Sequence, residues 1–262
     1  MTQHFIMFTD RLRYFIGVLL IIPVFPILYL QSKRIKRDFP DLPEATDPQG
    51  TTGNGPGMNV VFLGESSIAG VGVQTHEQGI AGHMARKLSQ LKGKTIHWQV
   101  VAKSGYRAIR VRQKLVPKLP EEHIDLIVIG LGGNDTFQTN TPWGWKRDMN
   151  DLFESLRQEH PEAVLVLTYM PPVHTFVAFS SLMRFFLGNL TKLFGREMHR
   201  HCKGLEGIHY DNRVISLKDW IGRYPEANKP EDLFCDGVHP SGLTYMVWGE
   251  ETASFIADSV LR

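Results

Sequence analysis

Short apolar runs alternate along the chain with segments in which apolar residues recur every three or four positions. The short runs predict β-strands, and the three-to-four spacing predicts amphipathic helices. Strands are predicted at 59–63, 96–102, 126–129, 163–168 and 214–217. Helices are predicted at 76–91, 109–115, 145–157, 183–199 and 243–256. This alternation predicts an α/β fold with a parallel sheet of about five strands between helix layers.

Residues 14–30, YFIGVLLIIPVFPILYL, form an apolar segment without a charged side chain. As a helix this segment would be about 26 Å long, slightly shorter than a bilayer core of about 30 Å. Arg11 and Arg13 precede it, and four Lys and Arg residues follow at 33–37, as suits lipid headgroups. The segment ends in LYLQSKRIKR, which lacks the small residues of a signal-peptide cleavage site. The sequence therefore predicts an uncleaved membrane anchor over residues 1–37.

Two prolines, Pro23 and Pro26, interrupt the apolar segment, and each favours a kink because it removes a helix hydrogen bond. A bent spanning helix, a segment embedded in one leaflet and a buried core helix all remain open. The flank with more bases, at 33–37, tends to stay cytoplasmic. We therefore expect a protein of a bacterial inner membrane that contacts lipid through residues 14–30, with its globular domain on the cytoplasmic side.

Residues 38–57 contain four prolines, four glycines, four acidic residues and no base. Because few of these side chains are apolar, the segment is predicted to be a linker. A single globular domain is predicted to follow it over residues 58–262, a length sufficient for one core.

The overall composition excludes some classes of partner. The 262 residues include 29 Lys and Arg and 27 Asp and Glu, for a net charge of +2. Residues 1–57 hold six bases and five acids, so 23 bases and 22 acids remain in the rest of the chain, which is close to neutral. Because a nucleic-acid surface needs concentrated positive charge, no nucleic-acid partner is expected. Cys202 and Cys235 allow one disulfide at most and match no metal-site spacing. No metal or other cofactor is expected.

Four polar segments lie after predicted strands or near the C-terminus. They are GESS with Ser66, KSGY with Gly105, GGND with Asn134, and DGVH with Asp236 and His239. Sites in parallel sheets form beyond the carboxyl ends of the strands, where the first three segments are expected to lie. These segments are therefore the candidate site.

The residue types in these segments suit nucleophilic catalysis. A serine hydroxyl needs a base within hydrogen-bond reach, and the base benefits from an orienting carboxylate. His239 and Asp236, three positions apart in one loop, can supply both. The oxyanion formed by attack needs hydrogen-bond donors. The backbone N–H groups of Ser66 and Gly105 and the side-chain amide of Asn134 are candidates for this oxyanion hole.

On these motifs, residues 59–256 resemble the SGNH hydrolase superfamily, also called GDSL esterases and lipases. The family's four named residues occur in separate blocks in the same chain order. The matching residues are Ser66, Gly105, Asn134 and His239, with Asp236 three positions before the histidine. The resemblance implies a three-layer α/β/α flavodoxin-like domain and ester hydrolysis without a metal.

The sequence departs from the family pattern in the first block, which usually reads Gly-Asp-Ser. Here Glu65 keeps the carboxylate but adds a methylene group, so its supporting hydrogen bonds are expected to shift. Ser67 is a second candidate nucleophile. Ser66 is preferred because it occupies the position of the family's serine.

A phenylalanine-rich segment, 173–198, follows the fourth predicted strand. One interpretation is a helix that packs on the sheet. However, the apolar residues of 176–187 go most of the way round a helix, which exceeds one packing face. The surplus is expected to line an acyl pocket or to contact lipid. The candidate substrate-binding residues are Phe176, Phe179, Phe185 and Phe186.

Together these features predict a membrane-anchored serine hydrolase. Its substrate is expected to be a lipid-like acyl ester, such as a lysophospholipid or a thioester. A short-chain or carbohydrate O-acetyl esterase is the alternative activity. A non-catalytic, membrane-tethered binding module that keeps the fold is the alternative from another functional class.

Overall fold

The computed structural model describes residues 3–38 and 42–261. Within them lies a six-stranded sheet with strand order β1-β3-β2-β4-β5-β6. Strands β2 to β6 are parallel, and β1 pairs antiparallel with β3. The strands are β1 (Gln49–Thr52), β2 (Gly57–Gly64), β3 (Thr95–Ala102), β4 (Leu126–Gly130), β5 (Val164–Leu167) and β6 (Ile208–Tyr210).

Helices cover both faces of the sheet, as the predicted α/β fold requires. The helices are α1 (Gln3–Ile21), α2 (Phe25–Asp38), α3 (Ile80–Lys92), α4 (Ala108–Lys114), α5 (Gly133–Phe137), α6 (Pro142–Glu159), α7 (Ser181–Cys202), α8 (Leu217–Arg223) and α9 (Gly242–Ser259). Val60 and Phe62 of β2 pack towards α3, α8 and α9, whereas Val61 and Leu63 pack towards α4, α6 and α7. This alternation follows from the two-residue period of a strand and produces three layers.

The prediction of a fifth strand at 214–217 is wrong. The sheet instead ends at β6, whose Ile208 pairs with Leu165 of β5. Val214 is 77% exposed, and Ser216 caps α8 by accepting a hydrogen bond from the backbone N–H of Asp219. Since β6 is only three residues long and has a histidine at its centre, it has little of the apolar pattern that marks the other strands.

The segment 38–57, predicted to be a linker, contains the edge strand β1. Gln49 pairs with Gln99 and Thr52 with Ile96 of β3. An edge strand needs backbone hydrogen bonds on one side only, so small and polar residues suffice and the composition does not reveal it. Gly50 lies so close to the ring of Trp98 that a Cβ there would come within 2.4 Å of it.

The N-terminal helices α1 and α2 are separated by a 3₁₀ turn at Ile22–Val24, which includes Pro23. Phe8–Ile35 is long and apolar enough to cross a membrane, and none of its most apolar window is buried. The two cysteines do not form a disulfide. Both are free thiols, of which Cys202 is buried and Cys235 is exposed.

Candidate active site

The loop before α9 holds Asp236 and His239 in direct contact. The Asp236 Oδ2 atom lies 2.7 Å from His239 Nδ1, and Oδ1 accepts the backbone N–H groups of Val238 and His239. Burial alone would raise the pKa of Asp236, but the hydrogen bonds from His239 hold it below its ordinary value of 3.8. The carboxylate is therefore ionised and orients the ring, which leaves Nε2 as the nitrogen that can act as a base.

Ser66 lies in a tight turn at the carboxyl end of β2. The Glu65 carbonyl accepts hydrogen bonds from the backbone N–H groups of Ile68 and Ala69, both at 2.9 Å, and these bonds close the turn. Ser66, Ser67 and His239 line one cavity of about 360 Å³. The structure thus brings both candidate nucleophiles to the cavity that His239, bonded to Asp236, also lines.

The proposed oxyanion donors border the same cavity. Gly105 follows β3 with φ +81°, a left-handed conformation that favours glycine. Asn134 lies in α5, directly after β4, and its side-chain amide donates to the Tyr106 carbonyl at 3.2 Å. An amide NH₂ group carries two hydrogens, so one remains for a substrate oxygen. Gly105 and Asn134 are therefore linked to each other through the residue after Gly105.

Glu65, the departure from the family pattern, has a defined place in the site. Its side chain is 5% exposed, and its two oxygens accept the backbone N–H groups of Gly133 at 2.7 Å and Asn134 at 2.8 Å. Burial raises the pKa of Glu65 to about 7, although these two donors oppose the shift. The longer side chain thus joins the turn that carries Ser66 to the segment that carries Asn134.

Two further acids support the site, and the sequence interpretation did not identify either. Asp135, which is fully buried, accepts the Ala108 backbone N–H at 3.0 Å and so holds the start of α4 near Gly105. Its position directly after Asn134 in GGND was the available signal. Glu44 accepts the Ser104 backbone N–H at 2.7 Å and lies 3.0 Å from Lys103 Nζ. Glu44 lies in the segment predicted to be a linker, where no local pattern marks it.

The walls of the cavity are mainly apolar and aromatic. Phe137, Phe176 and Phe234 line it on one side. The remaining large apolar side chains of the lining include Tyr169, Ile215, Leu217, Trp220 and Trp248. The arrangement suits an apolar substrate group placed next to Ser66.

The four predicted substrate-binding phenylalanines separate into two groups. Phe176 lines the cavity, and Phe179 packs behind it with ring centroids 5.5 Å apart. Phe185 and Phe186 lie instead in a groove between α1 and α7, outside the lining of the active-site cavity. Both residues lie in the first two turns of α7, where this helix borders the groove next to α1. The expectation that these two residues form the acyl pocket is therefore not supported.

No group of three or more His, Cys, Asp and Glu side chains among the described residues is arranged to hold a metal ion. The polar groups at the cavity include the hydroxyls of Ser66 and Ser67, the His239 ring bonded to Asp236, and the Asn134 amide. This set is suited to acyl transfer.

Comparison with solved structures shows a shared fold. TesA superposes with a TM-score of 0.57 at 20% identity, covering 78% of this chain and 100% of that one. The lipase Lip_vut3 from a goat rumen metagenome gives a TM-score of 0.54 at 17% identity, with coverage of 77% and 97%. A family 2 carbohydrate esterase with a carbohydrate-binding domain from Corynascus thermopiles (Myceliophthora fergusii) gives 0.57 at 15% identity, with coverage of 80% and 69%.

No curated protein sequence matches the chain. The model of the GDSL-like lipase/acylhydrolase family matches residues 62–247, a range that includes every candidate catalytic residue from Ser66 to His239. The range covers well over half of the chain. The protein therefore belongs to the GDSL-like lipase/acylhydrolase family and is an ester hydrolase.

Proposed function

We propose that the protein is a membrane-anchored serine esterase that hydrolyses lipid-like acyl esters, lysophospholipids or thioesters among them, through an acyl-enzyme on Ser66. The observation that carries this proposal is that Ser66 and His239 line one cavity with aromatic walls, with Asp236 bonded to the His239 ring.

The first half-reaction forms the acyl-enzyme. His239 Nε2 takes the proton from Ser66 Oγ while Oγ bonds to the ester carbonyl carbon. The carbonyl oxygen becomes an oxyanion and accepts hydrogen bonds from the N–H groups of Ser66 and Gly105 and from the Asn134 amide. The bond between the carbonyl carbon and the leaving oxygen or sulfur then breaks. His239 passes its proton to the departing alcohol or thiol.

The second half-reaction releases the acid. His239 takes a proton from water, whose oxygen bonds to the acyl carbon of the Ser66 ester. The resulting oxyanion uses the same donors. When the bond to Ser66 Oγ breaks, His239 returns the proton to that oxygen. The products are a carboxylic acid and the restored serine.

Contact between the N-terminal helices and a cavity wall favours a lipid-like substrate. Val173, Phe176, Phe179 and Met183 form a small apolar cluster, and Phe176 is the member that lines the cavity. Leu28 and Ile35 of α2 pack against this cluster. The proposed membrane segment is therefore close to the proposed acyl site.

Contacts at both ends of α1–α2 support an anchor that lies against the domain. Asp10 pairs with Arg196 at 2.9 Å and with Arg200 at 2.6 Å, while Gln31 accepts a hydrogen bond from Ser180 at 2.7 Å. These contacts run from one end of α7 to the other. The helices α1 and α2 and the turn between them expose large apolar side chains, including Phe8, Leu12, Leu19, Ile22, Phe25 and Leu30. This arrangement favours a segment embedded in one leaflet over a helix that spans the bilayer apart from the domain.

Activity-based labelling and chain-length kinetics of the full chain test the proposal. A fluorophosphonate should label the wild type and Ser67→Ala but not Ser66→Ala, which should lose about 10⁴-fold in turnover. Turnover of p-nitrophenyl esters should rise from acetate towards palmitate. A maximum at acetate would favour the O-acetyl esterase. If the wild type shows no labelling and no turnover, a binding module is favoured. If labelling is lost only in Ser67→Ala, Ser67 is the nucleophile.

A further inference from the structure

A second cavity lies beside the active-site cavity, and its lining includes three cationic side chains, Lys192, Arg196 and Arg213. It has a volume of about 260 Å³ and shares Pro171, Pro172 and Ile215 with the active-site cavity. It opens beyond the carboxyl ends of β5 and β6, against α7. The basic side chains that line it are His174, Lys192, Arg196, His199 and Arg213. No Asp or Glu is among its described lining residues.

The geometry of α7 creates space for this cavity. Gly188 and Gly195 both belong to the lining, and Lys192 lies between them on the same side of the helix. A Cβ at Gly195 would lie 3.0 Å from the Tyr210 hydroxyl, so a larger residue would narrow the space beside this polar group. The cavity thus combines basic side chains with a hydroxyl.

Two of the bases are held in place, and a third is not. Arg213 bonds to the buried Asp211, and Arg196 bonds to Asp10. Among the described residues Lys192 forms no ion pair, so its ammonium group is available to an anion. Burial lowers the pKa of His174, and the charge of Lys192 lowers it further. Burial also lowers the pKa of His199, so both rings are mainly neutral at pH 7 and the cationic groups of the cavity are Lys192, Arg196 and Arg213.

The same bases border an apolar surface. Lys192 and Arg196 also line the groove of about 430 Å³ between α1 and α7, where Tyr14, Phe185 and Phe186 are located. Bases at the edge of an exposed apolar face lie at the level of lipid phosphates when that face enters a membrane. This position favours a lipid over a free anion as the source of the bound group.

We propose that the basic cavity binds the phosphate of an acyl phospholipid whose ester lies at Ser66. The inference rests on the proposed function and specifies its substrate class. Phosphate oxygens accept charge-assisted hydrogen bonds from lysine and arginine, and the shared wall at Pro171 and Pro172 places the phosphate next to the catalytic cavity. Lys192 is then a specificity-determining residue for the phosphate.

Two substrates that differ only in the phosphate test this inference with the full chain in detergent micelles. These are palmitoyl lysophosphatidic acid and monopalmitoylglycerol. Wild-type kcat/KM should be about tenfold or more higher for the phosphorylated substrate than for the other. Lys192→Gln should lower kcat/KM for the phosphorylated substrate about tenfold, mainly by raising KM. Monopalmitoylglycerol turnover should be little changed. Lys118→Gln, at an exposed lysine outside the cavity, is the matched control and should leave both substrates unaffected.

Equal losses on both substrates, or no wild-type preference for the phosphorylated one, would overturn the inference while the esterase remains. Absence of turnover on both substrates and of fluorophosphonate labelling would contradict the proposed function instead. A binding measurement in Ser66→Ala decides the inference even then. Equilibrium dialysis should show weaker lysophosphatidic acid binding when Lys192→Gln is added. Displacement of this lipid by inorganic phosphate as readily as by unlabelled lysophosphatidic acid would show a free-phosphate site and overturn the lipid assignment.

Discussion

The carboxylate of Glu65 accepts the backbone N–H of Asn134 at 2.8 Å, although the two residues are 69 positions apart. A second hydrogen bond, from Gly133 at 2.7 Å, engages the other carboxylate oxygen. The residue before the candidate nucleophile therefore holds the residue that supplies a candidate oxyanion donor. An acid at this position links two loops of the site, and the additional methylene of glutamate is accommodated in that link.

Glu65 should make stability depend on pH. Burial raises its pKa from 4.5 to about 7, so the folded state holds this proton more tightly than the unfolded state. The stabilisation is complete below the unfolded pKa and is lost as pH rises through the folded pKa. A shift of this size corresponds to about 3 kcal/mol. Denaturant unfolding of the wild type and Glu65→Gln between pH 4.5 and about pH 8 should show the wild type losing stability relative to the variant.

Comparison with Glu65→Gln removes the contribution of the other buried groups. His76 and His83, whose pKa values burial lowers to about 4, titrate in both proteins and cancel in the difference. A difference between the two proteins that stays constant across this range would contradict the prediction.

The Asn134 side chain should act on turnover more than on binding. Asn134→Ala removes one oxyanion donor, and kcat for p-nitrophenyl butyrate should fall roughly 10²–10³-fold with KM little changed. Asn150→Ala is the matched control, because that amide bonds to the exposed Glu154 of α6 outside the cavity, and it should leave kcat unchanged. If Asn134→Ala changes only KM, the residue binds substrate and is not an oxyanion donor.

Glu44 should act as a positioning residue for Gly105. Glu44→Ala removes the acceptor for the Ser104 N–H, one residue before Gly105, and kcat should fall about tenfold. Glu44→Gln keeps an acceptor oxygen and should therefore retain most of the wild-type kcat. If Glu44 acted only through its charge, Glu44→Gln would lose as much kcat as Glu44→Ala. Glu121→Ala, at an exposed acid, serves as the control. Full activity in Glu44→Ala would show that Ser104 needs no such support.

Phe137 should influence chain-length preference, whereas Phe185 should not. Phe137 lines the active-site cavity, is 36% exposed and is not a member of the buried core clusters. Phe137→Ala should lower kcat/KM for p-nitrophenyl palmitate about tenfold through lost apolar contact, with acetate nearly unchanged. Phe185→Ala, in the groove against α1, should leave the ratio of palmitate to acetate turnover as in the wild type. A reversed result would place the acyl chain in that groove.

The catalytic domain should lie on the cytoplasmic side of the membrane. Four bases at 33–37 outnumber the two at Arg11 and Arg13, and Lys and Arg near an apolar segment tend to remain cytoplasmic. An anchor embedded in one leaflet requires no part of the chain to cross. A reporter that is active only in the periplasm, fused after Arg262, should therefore be silent. Strong reporter activity would reverse the orientation.

The sequence by itself determined the layered α/β fold, the apolar N-terminal segment and the order of the site motifs. Each depends on local information. The apolar run Leu126–Gly130 marks a strand buried on both faces, and the polar segments with Ser66, Gly105 and Asn134 each follow a predicted strand. Parallel strands place their carboxyl ends at one edge, so the convergence of these segments follows from the topology. Their catalytic roles remain predictions that the variants above test.

Only the tertiary structure decided which distant segments meet. The strand at Gln49–Thr52 has a linker's composition and exists because β3 offers it a free edge. Phe185 and Phe186 match an acyl wall in composition, yet α7 turns them towards α1, because a helix distributes neighbouring side chains round its axis. The partners of Glu65 and Glu44 lie about 60 to 70 positions away along the chain, and the bases of the second cavity come from three separate segments. Sequence patterns describe the faces of single elements, whereas these contacts depend on how the elements pack, which no local pattern encodes.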